Sequence, residues 1–191
     1  MIRFLPLVGF LGLCLILLIP QLQTSTPAPQ QEGWPINQPV PRVLLPLLPK
    51  NALEPSKASM PLGFAQAGIA QQGGYVLNFF ASWCAPCAAE APQLEALVKQ
   101  HGIIVVGVAW KDEPSKLATF FSKYGRPFSQ VLLDVDGKAM TELGATGVPE
   151  TYLVDGGGII RKRYRRNLTA ADVDEISAFL AALPAPAPVK P

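Results

Sequence analysis

Soft metal ligands are scarce in this chain. Its 191 residues include three cysteines, Cys14, Cys84 and Cys87, and a single histidine, His101. A closed zinc site needs about four such ligands, and Cys14 lies inside an apolar N-terminal run, so too few remain to close one. A surplus of one charge is also missing. Sixteen Lys and Arg against 14 Asp and Glu leave a formal net charge of +2, too little to argue for nucleic acid. No small-x-small cleavage signal follows the N-terminal run, because the nearest candidate, Thr26-Pro27-Ala28, carries a proline in its middle. Leu13 precedes Cys14 where a lipoprotein signal requires a small residue, which argues against lipidation there.

The strongest positive signal is Trp83-Cys84-Ala85-Pro86-Cys87. Two thiols two residues apart follow an apolar run at 75–81 and open a helix-like pattern. A cysteine at a helix N-terminus has its thiolate stabilised by the helix dipole and by unpaired backbone N–H groups. Cys84 is therefore the expected attacking thiol, with Cys87 one turn behind it as the resolving thiol. A pair of inert buried cysteines, or half of a zinc site, is the alternative, and CxxC beside a strand–helix pattern favours redox chemistry over both.

Residues 4–19 are apolar and uncharged, follow Arg3 and stop at Pro20. They are read as an uncleaved membrane anchor or an export signal within residues 1–22, and the position of Arg3 leaves the short end in the cytoplasm and the bulk of the chain exported. At about 16 residues the run is short for a spanning helix, which needs roughly 17–25, although residues 20–22 extend it. Residues 23–37, rich in Gln, Pro, Ser and Thr, are expected to be a linker, and the Pro- and Ala-rich residues 184–191 a disordered tail. The domain is then expected over 38–183.

Within it, prolines interrupt 39–49, leaving at best an edge strand at 42–44, and 61–71 reads as a short helical turn. From there the alternation is regular. Strands are predicted at 75–81, 103–109, 131–134, 151–154 and 159–164. Helices are predicted at 84–100, 114–124, 138–143 and from Thr169. Pro86 falls harmlessly in a first turn, whereas Pro92 should kink its helix. Asp155-Gly156-Gly157-Gly158 marks a hairpin turn, and Thr169 with Asp172 a capping box. The sum is an α/β fold: a central mixed sheet with helices on both faces.

This order, with WCxxC between the first regular strand and its helix, resembles the thioredoxin fold over residues 40–183. Asn78-Phe79-Phe80-Ala81-Ser82-Trp83-Cys84, Gly107-Val108-Ala109-Trp110-Lys111-Asp112, Gly125-Arg126-Pro127-Phe128 and above all Gly147-Val148-Pro149-Glu150-Thr151 narrow it. They are similar to the membrane-anchored, DsbE-type thiol:disulfide interchange proteins of cytochrome c biogenesis. The resemblance implies a cis-proline at Pro149 facing the dithiol, with Val148 turning its backbone toward an extended substrate. It implies no cofactor and no metal.

Disulfide reduction proceeds by attack of the Cys84 thiolate, a mixed disulfide, and release by Cys87. Ala85 and Pro86 bring no cation to stabilise the thiolate, so the couple is read as a reductant. Where ordinary thioredoxins carry a buried Asp, this chain has Asn78, which cannot take a proton. Glu150 and, second, Glu90 match acidic residues that line the site in DsbE-type proteins and are the candidate bases; solvated surface carboxylates are the alternative for both. Trp83 is read as an apolar shelf for substrate or as packing against the sheet. The basic run from Arg161 to Arg166 is read as a solvated edge, with anionic lipid or an acidic partner as the alternative. His101 is read as a loop residue near a helix C-terminus.

The leading expectation is an anchored periplasmic reductase that keeps apocytochrome c cysteines, or a partner holding them, reduced. It implies a membrane thiol transporter as electron donor, an apocytochrome or maturation protein as acceptor, and the inner membrane as location. A general reductase for exported proteins and a non-catalytic apocytochrome-binding module are the alternatives.

Overall fold

Prolines did less to break the N-terminal strands than expected. In the computed structural model, which describes residues 35–49, 59–64 and 73–183, β1 (Leu44–Leu48) contains Pro46 and pairs with β2 (Ser59–Gly63). Pro46 falls where the β1–β2 register shifts between Leu45 and Leu47, so its missing N–H coincides with a break in the ladder. The strand thus lies two residues later than the expected 42–44, and β2 takes in residues 61–63 of the expected helical turn. The rest of that turn, at 65–71, lies outside the described residues.

β3 (Gly74–Phe80) is buried at every position, as a strand covered on both faces must be. α1 (Ala85–His101) carries the chain to β4 (Val105–Trp110), which pairs with β3 in parallel. α2 (Pro114–Tyr124) leads to β5 (Gln130–Asp134), parallel to β4 and antiparallel to β1 on its other side. β1 is therefore an interior strand rather than an edge. After α3 (Lys138–Glu142), β6 (Glu150–Asp155) runs antiparallel to β3, and β7 (Ile160–Tyr164) turns back along it before α4 (Ala170–Ala182). The order β2-β1-β5-β4-β3-β6-β7 is the expected mixed sheet.

Side chains alternate across this sheet and divide the core in two. On one face Val76, Phe80 and Leu153 pack with Leu94 and Leu97 of α1, Leu117 and Phe120 of α2, and Ile176 and Leu180 of α4. On the other, Leu77, Phe79 and Tyr152 pack with Phe64 and with Ala139 and Met140 of α3. Both faces carry helices, but unequally. The chain reaches Gly107 on β4 only because that residue has no side chain: a Cβ there would lie 2.8 Å from the Phe128 ring and 2.9 Å from Phe80, two rings stacked 4.4 Å apart.

α1 runs without interruption through Pro92, which lies on its exposed side, while Ala91, Leu94 and Leu97 bury the other. Gly102 ends it in the left-handed region at φ 66°, a conformation that costs glycine least, and its N–H bonds the Val98 carbonyl at 3.1 Å. His101 is the last residue of this helix and is exposed. Thr169 and Asp172 form the expected capping box of α4. The domain starts earlier than expected: within the predicted linker, Ile36 packs on the core and the Asn37 N–H bonds the Ile160 carbonyl at 2.7 Å. Pairing with β7 tied down residues whose composition alone reads as linker. The proposed anchor, the rest of the linker and the tail at 184–191 lie outside the described residues, among which no helix is long and apolar enough to cross a membrane.

Candidate active site

Cys84 is the N-cap of α1, with extended backbone at φ −90° and ψ 103°. Its Sγ accepts the Cys87 N–H at 3.1 Å, so one of the helix's unpaired donors points at the sulfur. The two sulfurs are joined in a disulfide, and both residues are buried, Cys84 with 5% of its surface exposed. The Val148–Pro149 peptide bond is cis, and the Val148 carbonyl oxygen lies 3.6 Å from Cys84 Sγ. Residues 64 positions apart in sequence are thus brought together at one end of the sheet.

Two contacts that sequence reasoning missed hold this loop. Asp112, buried just beyond β4, accepts the Ser82 N–H at 2.5 Å and the Ser82 hydroxyl at 2.8 Å. Asn167 donates its side-chain amide to the Pro86 carbonyl at 2.6 Å. Asp112 was visible only as the end of a sequence motif, and its task became apparent from β4 ending beside the loop that follows β3. Trp83 is not packed into the sheet: it is 56% exposed, and its ring meets Trp110 at 5.5 Å.

Beneath the dithiol lies a buried polar cluster. Asn78 on β3, fully buried, donates to Glu90 Oε2 at 3.2 Å and to Thr151 Oγ1 at 2.9 Å. Glu90 is three residues after Cys87 on α1, hence on the same face of the helix. Its other oxygen accepts the Leu168 N–H at 2.9 Å. Only 1% of Glu90 is exposed, and burial pushes its carboxyl up to about 7, opposed by the Leu168 and Asn78 hydrogen bonds and assisted by the charge of Asp172. It is not a solvated surface carboxylate.

Glu150 is placed differently from the expectation. It is equally buried but alternates with Thr151 on β6, and Thr151 is the residue that meets Asn78. Glu150 therefore faces the sheet side of Phe79 and Tyr152, away from α1. Both its oxygens are engaged: Oε1 by Arg163 Nε at 2.5 Å and by the Tyr152 hydroxyl, Oε2 by the Thr146 N–H at 3.1 Å. Strand parity thus sets Glu150 on the side of the sheet away from α1, and Glu90 on the side that holds the dithiol. The same ion pair corrects the reading of the basic run as a solvated edge at Arg163, while Arg161, Arg165 and Arg166 remain exposed. Arg163 is largely buried against Glu150, Arg161 pairs with Asp155, and Arg166 forms a two-pronged pair with Asp172. Among the described residues no group of three or more His, Cys, Asp or Glu is arranged to hold a metal.

Comparison with known proteins agrees with this geometry. The chain matches the AhpC/TSA family over residues 64–163. It is 41% identical to the thiol:disulfide interchange protein HelX of Rhodobacter capsulatus over 121 residues, 63% of this chain and 67% of that protein. With DsbE of Yersinia pestis it shares 36% identity over 169 residues, 87% of this chain and 85% of the relative. The chain belongs to the DsbE/HelX thiol:disulfide interchange proteins. Its match to Escherichia coli DsbE, at 42% identity, spans 64% of that protein's length. Among solved structures, DsbF of Mycobacterium tuberculosis superposes with a TM-score of 0.59 at 23% identity, covering 73% of this chain and 95% of that one, which shows the thioredoxin-like fold. Membership of this family makes the Cys84–Cys87 pair the redox centre of a thiol:disulfide oxidoreductase.

Proposed function

We propose that this protein is the reductant of a cytochrome c maturation system, passing two electrons to a disulfide of apocytochrome c or of a partner that holds it. The observation that carries the thiol chemistry is the Cys87 N–H aimed at Cys84 Sγ from the first turn of α1, and the reducing direction is supported by Ala85 and Pro86, which add no cation to stabilise the thiolate further. In the reduced protein the same donor and the helix terminus favour the Cys84 thiolate. That thiolate attacks one sulfur of the substrate disulfide, whose other sulfur leaves as thiolate. Cys87 then attacks Cys84 Sγ, the second substrate sulfur leaves, and the Cys84–Cys87 disulfide forms while the substrate becomes a dithiol.

Glu90 is the residue to take the proton from Cys87. It shares the helix face with that thiol, is shielded from solvent, and its carboxyl titrates near neutrality, the range in which a general base works best. Trp83 provides an exposed apolar shelf, and Val148 and Pro149 the backbone edge beside the sulfur, for an extended substrate. Re-reduction requires a dithiol donor, which the resemblance assigns to a membrane thiol transporter. The apolar segment 4–19 supports attachment to the inner membrane with this domain in the periplasm.

Insulin reduction tests the chemistry: Cys84→Ala abolishes it, and Cys87→Ala leaves a long-lived mixed disulfide. Mild alkylation of the reduced protein labels Cys84 first, and preferential labelling of Cys87 reverses the assignment. Identification of the proteins trapped on Cys87→Ala in the periplasm tests the substrate. Capture of assorted exported proteins without apocytochrome c or its maturation partners points to a general reductase.

A further inference from the structure

A groove of about 480 Å³ opens beside the dithiol, between Pro86 at the start of α1, Val148 and Pro149 at the start of β6, and the segment after β7. Its far wall is basic. Four arginines lie on and after β7; Arg161 pairs with Asp155, and the surroundings of the other three separate them. Arg163 is committed to Glu150 on the opposite side of the sheet. Arg166 is neutralised by the two-pronged pair with Asp172, at 2.7 and 2.9 Å. Arg165 is exposed, reaches across the groove to donate one hydrogen bond to Thr146 Oγ1 at 3.0 Å, and has no carboxylate within ion-pair distance among the described residues. A guanidinium carries five N–H donors in a planar fork that matches a carboxylate. Here that fork lines the same groove as Pro86 and as Val148, whose carbonyl lies 3.6 Å from Cys84 Sγ.

Resting on the reductase reading above, we propose that Arg165 is a specificity-determining residue of this site, pairing with the carboxylate of an Asp or Glu that flanks the cysteine of the incoming polypeptide. The other polar wall residues supply no comparable charge. Asn167 spends its amide on the Pro86 carbonyl, and Glu150, although it borders the groove, is satisfied by Arg163. A flanking carboxylate therefore meets a cation without a competing anion, whereas a flanking lysine meets like charge. Arg165 acts on docking, so it changes how quickly a substrate is engaged and leaves the couple between Cys84 and Cys87 as it is.

Three synthetic peptides test this, each closed by one internal disulfide and differing only in the residue beside it: Glu, Gln or Lys. The probe is the second-order rate at which each oxidises the reduced full-length protein, followed by tryptophan fluorescence at low and high salt. The wild type should favour Glu over Gln by about three- to tenfold and Gln over Lys by a similar factor, with the order compressed at high salt. Arg165→Gln should bring the three peptide rates together while the redox equilibrium with glutathione stays where it is. Arg165→Lys should keep part of the order. Lys123→Gln, which removes the same net charge from α2, should keep all of it. Equal rates for all peptides in the wild type, or an order that survives Arg165→Gln, overturns the proposal while leaving a working reductase. Failure of the wild type to reduce any of the three peptides overturns the reductase reading, and the proposal with it.

Discussion

Replacing Glu90 by Gln should shift stability relative to the wild type in favour of the variant between pH 5 and pH 8, and should slow the protein. The side chain keeps its size, and a flip of the Asn78 amide lets its carbonyl, which has no partner in the native arrangement, receive the new Gln amide and the Thr151 hydroxyl. What changes is charge. Glu90 titrates near 7 in the folded protein because it is buried, whereas an unfolded glutamate titrates near ~4.3. Between those values the folded state holds a proton that the unfolded chain has released. Wild-type stability therefore falls as pH rises through that window, by up to about 1.4 kcal/mol per pH unit and about 4 kcal/mol in all. Gln has no such dependence. Urea unfolding of the oxidised proteins at half-unit steps from pH 4.5 to 8 should show the stability difference moving in favour of the variant up to about pH 7 and level thereafter. In parallel, release of the mixed disulfide should slow by about 10²-fold near neutral pH and lose its inflection, because no base replaces the carboxylate. A stability difference that stays flat across the window would refute the claim that burial raises this carboxyl. An unchanged pH–rate profile would mean that Cys87 gives its proton to solvent.

Glu150→Gln should behave in the opposite way, costing about 3 kcal/mol because Arg163 and the Tyr152 hydroxyl lose a buried anion, while the pH–rate profile keeps its shape. A lost inflection in a stably folded Glu150→Gln protein would return the base role to Glu150. Gly107→Ala should cost about 1–3 kcal/mol by overpacking against Phe128 and Phe80. A loss below half of that range by thermal or urea unfolding would show that the rings move aside.

Much of the site could be read before any coordinates. WCxxC after an apolar run placed Cys84 at a helix start, and the local rules for capping and turns located α4 and the β6–β7 hairpin, because those signals act over a few residues. The prolines at 39–49 misled for a related reason: local propensity registers a missing N–H but not whether the ladder has a gap at that point, as it does at Pro46. Arg163 read as solvated because alternation gives which residues share a face, not what is packed against it.

The redox dithiol and the alternation of strand and helix were legible in the sequence because each rests on spacing along the chain, whereas the two acidic candidates came from the family resemblance. Where the two carboxylates lie relative to the sheet depends on tertiary packing. Glu90 reaches the side of the sheet that holds the dithiol because it lies one helical turn beyond Cys87 and α1 packs over Asn78 and Thr151. Glu150, beside the cis-proline in sequence, is turned to the other side by the two-residue period of β6 and is closed off by Arg163 from the neighbouring strand. Family resemblance put Glu150 first; the pleat of one strand and the burial of one helix face set Glu90 on the dithiol's side of the sheet and Glu150 on the other.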